Sequence, residues 1–88
     1  MPPASLASLT TSIAAEAMMA MGLVVNPATD KVEVRLDHAR HLVDLIQMLQ
    51  EKTEGNRTSD ETALMENMLH QLRMAFVSVE QQAAAGGQ

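Results

Sequence analysis

The spacing of apolar positions changes three times along the chain. Leu6, Leu9, Ile13, Ala17 and Met21 recur at intervals of three and four, which predicts an amphipathic helix over about residues 5–21. Gly22 then stands where a left-handed cap would end it. The other side of this helix carries Ala7, Ala14, Ala15, Met18 and Met19, with Glu16 as its only charge. A helix apolar on both sides needs cover on more than one of them. Next, LVV and VEV flank the turn NPATDK, so residues 23–35 read as a short extended or β-hairpin arm. Two strands alone are marginal in water, and an ordered arm from Val24 to Val34 must pack on a helix or pair with another chain.

Helical spacing returns at Leu36. Ala39, Leu42, Val43, Ile46 and Leu49 form one face, widened by Leu45, of a helix over about 36–53. Its N-cap is open between Arg35 and Asp37, whereas Lys52 in the last turn followed by Gly55 marks its end. Thr58 with Glu61 three positions later is a capping-box pattern. It opens a last helix, about 59–81, whose face runs through Leu64, Met65, Met68, Leu69, Leu72, Ala75, Phe76 and Val79. The tail AAAGGQ, residues 83–88, is expected to be disordered. The fold class is therefore mainly α: one small domain over 1–82, with an N-terminal apolar helix, the arm, and an antiparallel αα-hairpin.

Length decides what must complete it. A chain of 88 residues makes a thin core, and small domains compensate with disulfides, a structural metal or a partner subunit. The chain has no cysteine, which removes disulfides and thiolate zinc sites. A second copy is the simplest remaining cover for the first helix, because a two-fold contact lets one patch satisfy itself. The expected oligomer interface is Leu6, Leu9, Ile13, Ala17, Met18 and Met21. Eight methionines fit this picture, since a Met stripe at helical spacing more often fills a core or an interface than a site for varied partners.

Net charge narrows the partners. At −5, with six scattered Lys and Arg and one aromatic residue, Phe76, the chain offers neither a basic stripe nor stacking platforms. Nucleic acid and anionic membrane surfaces are not expected partners. The N-terminal apolar run lacks a leading cation and is interrupted by Glu16, so it reads as neither signal peptide nor anchor. With no cysteine besides, a cytoplasmic location is expected.

Candidate chemistry is sparse. The stretch EKTEGNRTSDE, residues 51–61, gathers lysine, threonine and glycine as a phosphate loop might. Such a loop needs glycines before its lysine and a strand upstream; here one glycine follows the lysine and a helix precedes it, so the stretch reads as a corner. His38-x-x-His41 with Asp37 and Asp44, and Glu66-x-x-x-His70, could in principle supply metal ligands from two helices. At about 100° per residue, His41 points away from the Leu42 face and His70 nearly opposite the Leu64 face, and only His38 lies near a core boundary. No metal or other cofactor is expected. There is no Cys or Tyr, and no Ser or Asp in a nucleophile context, so no catalytic residue is assigned. Arg40 and Asp44 are spaced for a helix-supporting ion pair.

The run from NPATDKVEVRLDHARHLVDL through EKTEGNRTSDE to HQLRMAF, with MGLV before it, resembles the bacterial family called domain of unknown function 1844. In that family an Asn-Pro-x-Thr-Gly-Lys turn leads to a helix with Asp-Leu, then Lys-Thr-x-Gly-Asn, then a helix with Leu-Arg and an aromatic. Lys52, Thr53, Gly55 and Asn56 are the most specific match, and the likeness spans Ser12 to Val77. Asp30 departs where the turn has glycine, and Arg57 where an apolar residue is common. The resemblance implies a small, mainly helical bacterial protein and carries no activity. Function is accordingly expected to be that of a non-enzymatic, homo-oligomeric interaction module, with itself and an unidentified protein as partners. The alternative is a small-ligand or metal-binding protein whose site forms between subunits.

Overall fold

The computed structural model describes residues 4–86. Three helices follow one another: α1 (Leu6–Ala20), α2 (Leu36–Lys52) and α3 (Ser59–Gly86). Each touches the other two, within a body of 46 × 27 × 16 Å. Among the described residues there is no sheet, and none of the helices is long and apolar enough to cross a membrane.

Local chemistry explains each helix end. Ser5 and Ser8 cap α1 reciprocally: the Ser8 amide donates to Ser5 Oγ at 3.0 Å and the Ser5 amide to Ser8 Oγ at 3.2 Å. At its other end the Gly22 amide donates to the Met19 carbonyl and the Leu23 amide to the Met18 carbonyl, with Gly22 at φ +79°. This is the two-bond left-handed cap that favours glycine. Arg35 is the N-cap of α2 and offers no side-chain bond, while Asp37 sits in the first turn, where a negative charge suits the helix dipole. The capping box of α3 forms as its sequence implies, with the Thr58 amide donating to Glu61 Oε1 at 2.8 Å and the Glu61 amide to Thr58 Oγ1 at 3.1 Å.

α2 and α3 run antiparallel. Along their cross-links the residue number falls in one helix as it rises in the other: Arg73 Nη2 donates to Gln47 Oε1 at 2.7 Å, and Arg40 lies 3.8 Å from Glu80. The Arg40 guanidinium also stands 5.4 Å from the centre of the Phe76 ring. Arg40 thus reaches across to α3 and makes no ion pair with Asp44, because the cross-helix position supplies a carboxylate and an aromatic face together. The α2–α3 seam buries Leu42, Val43 and Ile46 from one side and Met65, Leu69 and Leu72 from the other.

α1 packs differently from its sequence pattern. Its buried stripe is Thr10, Ala14, Ala17 and Ala20, continued by Met21, whereas Leu9 is 48% exposed and Leu6, Ile13 and Met18 are half-buried. Small residues let a helix axis come closer to its neighbour. Ala17 on α1 and Ala39 on α2 are both completely buried, as close packing by small residues requires. Thr10 is buried within this stripe with its hydroxyl lacking any hydrogen-bond partner.

α3 is longer than its face predicts. It continues past residue 81 through Ala83, Ala84 and Ala85 to Gly86, where disorder was expected, and alanine's helix propensity accounts for the extension. From Glu80 to Ala85 every residue is exposed. Residues 87 and 88 of the expected tail lie outside the described residues.

Candidate interaction surface

The two connections between helices have opposite characters. In the corner after α2, Thr53 Oγ1 donates to the Leu49 carbonyl at 2.6 Å, and Gly55 takes φ +84°. Arg57 then ties both helices: its Nη1 donates to the Gln50 carbonyl and to Thr53 Oγ1, and its Nε to Thr62 Oγ1 at 3.1 Å. The last carbonyls of a helix have no partner within it, and a cation there also meets the negative end of the dipole. Residues 51–61 form a corner in which Thr53, Arg57, Thr58 and Glu61 bond to one another and to the adjoining helix ends. The role of Arg57 was not read from the sequence, although a cation a few residues beyond a helix end is the known signal for it.

The arm between α1 and α2 is held mainly by backbone bonds. Its tip is an Asx turn in which Asn26 Oδ1 accepts from the Ala28 amide at 2.9 Å, and Asp30 occupies the left-handed region at φ +56°. Asp tolerates that region better than most side chains. Two isolated antiparallel bridges, Met21 with Val34 and Asn26 with Lys31, are its only ladder. Yet Leu23, Val24, Val25, Val32 and Val34 are all exposed, Val32 at 55% and Val34 at 57%. The other exposed large apolar side chains are scattered: Leu9 on α1, Met48 on α2, Met74 and Val77 on α3.

The six residues expected at an oligomer interface are divided by the structure. Ala17 and Met21 lie in the chain's own core, Leu6, Ile13 and Met18 are half-buried around it, and Leu9 alone is openly exposed. Hydrophobicity ranked them together, while packing assigned them to different sides of α1. The arm's apolar side chains were not among the expected interface residues, although their lack of cover was legible in the two β-branched runs.

The histidines do not meet. His41 and His70 are exposed on different helices, and His38 faces α1, its Nε2 3.9 Å from Glu16 Oε2. A cleft of ≈ 340 Å³ beside that pair is lined by Glu16, Met19, Asn26, Glu33, Arg35 and His38. Its charged groups are mixed in sign, and Glu33 accepts from Thr29 Oγ1 at 3.4 Å. Among the described residues no three His, Asp or Glu side chains come together in a way that could hold a metal ion.

A family model described as "Domain of unknown function (DUF1844)" matches residues 3–78. No curated protein and no solved structure matches the chain.

Proposed function

The chain belongs to that family, domain of unknown function 1844, and from this premise we propose that it works as a non-enzymatic interaction module that assembles with copies of itself. The observation that carries the reading is the arm: five exposed apolar side chains on a segment held by two isolated bridges. Apolar side chains grouped on a weakly paired ribbon favour burial against another surface. Burial of each Val or Leu contributes about 1.5 to 3 kcal/mol before ordering costs, a large contribution for so thin a core. The absence of Cys and Tyr, and the use of Arg57 to join two helix ends, support a role without catalysis. We place it in the cytoplasm, without nucleic-acid or membrane partners, on its lack of cysteine and its net charge of −5.

Light scattering on the purified protein at micromolar concentration tests the reading. The expected mass is about twice the 9.5 kDa of one chain. A monomeric mass with the helices intact would remove self-assembly as the function and leave the arm for a different protein.

A further inference from the structure

We propose that two copies join through the open edge of the arm, residues 31–33 of one running antiparallel to residues 31–33 of the other, with the two-fold axis at Val32. This rests on the homo-oligomer reading and names the contact that would build it.

Backbone direction comes first. In an extended segment successive residues turn their N–H and C=O groups to opposite edges. The Lys31 carbonyl accepts from the Asn26 amide at 2.9 Å, and the Arg35 amide donates to the Ala20 carbonyl at 2.6 Å. Residues 31 and 35 therefore face inward, toward the chain's own first limb. Val32 and Val34 turn their groups to the open edge, where no other described residue takes them. An added Cβ on Gly22 would lie 2.7 Å from Val34 Cγ2 and 3.4 Å from Val32 Cγ1, so these two side chains rest against the Gly22 backbone on one side and remain more than half exposed on the other.

Charge then selects the register. Residues 30–35 read Asp-Lys-Val-Glu-Val-Arg. With the axis at Val32, the two Val32 residues exchange both backbone hydrogen bonds. Lys31 falls opposite the partner's Glu33, and Glu33 opposite the partner's Lys31. These are non-hydrogen-bonded positions, where facing side chains stand closest. Moving the axis to Glu33 sets Glu33 on Glu33 and Lys31 against Arg35, and moving it to Lys31 sets lysine on lysine. An axis at Val34 also sets unlike charges opposite each other, Glu33 on Arg35, but carries the pairing into Leu36, where α2 has begun. Intermediate registers place an outward-facing residue against an inward-facing one. The Val32 axis satisfies backbone and charge together and leaves α2 outside the pairing, and it is self-complementary in the way a closed two-fold contact requires. The occupant that fits this edge is a second copy.

A charge-exchange series on the full-length chain tests the pairing, with the dimer dissociation constant measured by sedimentation and helix content by circular dichroism. Lys31 and Glu33 are exposed, so the substitutions leave the core untouched. Lys31→Glu and Glu33→Lys each turn two attractive pairs repulsive, and each should weaken the dimer by about tenfold. The double variant restores opposite charges and should return to within about threefold of the unmodified chain. Val32→Pro, which removes the central N–H from the open edge, should abolish the dimer while preserving the helices. Unchanged affinity in both single variants would overturn this contact and leave self-assembly standing. Weakening without recovery in the double variant would assign the edge to some other surface and also overturn it. An unmodified chain that is monomeric would remove both readings.

Discussion

The arm and the corner solve the same problem, turning the chain from one helix into the next, with different materials. Both place a glycine in the left-handed region, Gly22 at φ +79° and Gly55 at φ +84°. Around Gly55 lies open space, and the turn is held by polar bonds: Thr53 to Leu49, Arg57 to both helices, Thr58 to Glu61. Around Gly22 lie the side chains of Val32 and Val34, and the backbone bonds of the segment gather at its tip and its ends, from Asn26 to Lys31 and from Arg35 to Ala20. A connection made of hydrogen bonds is complete within one chain. One made of exposed valines is stable only to the extent that something covers them.

The glycines provide the largest test of that contrast. Gly22→Ala meets both the left-handed backbone and Val34 Cγ2, and should lower unfolding free energy by about 3 kcal/mol in a urea titration. Gly55→Ala meets only the backbone and should cost about 1 kcal/mol. Equal losses would mean that the arm does not press on the end of α1. Next in size, Arg57→Met removes three hydrogen bonds but keeps an apolar stem, and should cost about 1 to 2 kcal/mol. A neutral result would show that the corner closes without its arginine. The smallest effect belongs to the arm's tip, where Asp30→Gly relieves a left-handed aspartate and should add about 0.5 kcal/mol. A loss of stability there would point to a role for the Asp30 carboxylate beyond the turn.

Legibility in the sequence followed the range of the forces involved. The corner could be read in advance because Gly55 and the Thr58–Glu61 box act over three or four residues. Gly22 was legible for the same reason. The face of α1 was legible only at Ala17 and Met21, because two stripes compete before them: Leu6, Leu9 and Ile13 are the more apolar, but Thr10 and Ala14 are the smaller. Choosing between them requires knowing how closely α2 packs, and that depends on residues more than twenty positions away, such as the buried Ala39. The extension of α3 went unread because Ala83 to Ala85 were weighed as tail composition rather than as helix formers. Of the expected interface, Leu9 keeps its exposure while Ala17 and Met21 do not. The buried hydroxyl of Thr10 belongs to the same choice: an unpartnered polar atom costs about 1 to 3 kcal/mol, and it stays buried because α1 packs by shape rather than by polarity.

Methionine depth has a consequence for the chemistry of oxidants. Met21 and Met65 are sealed in the core, whereas Met48 and Met74 stand on the outer faces of α2 and α3. Oxidation turns a flexible thioether into a polar sulfoxide, which a surface can hydrate and a packed seam cannot. At Met48 and Met74 that change adds an oxygen to a side chain already in water. At Met21 and Met65 it can occur only after the helices have parted, and it then opposes their return. The same reaction is a superficial mark at two positions and, at the other two, a record that the chain has opened.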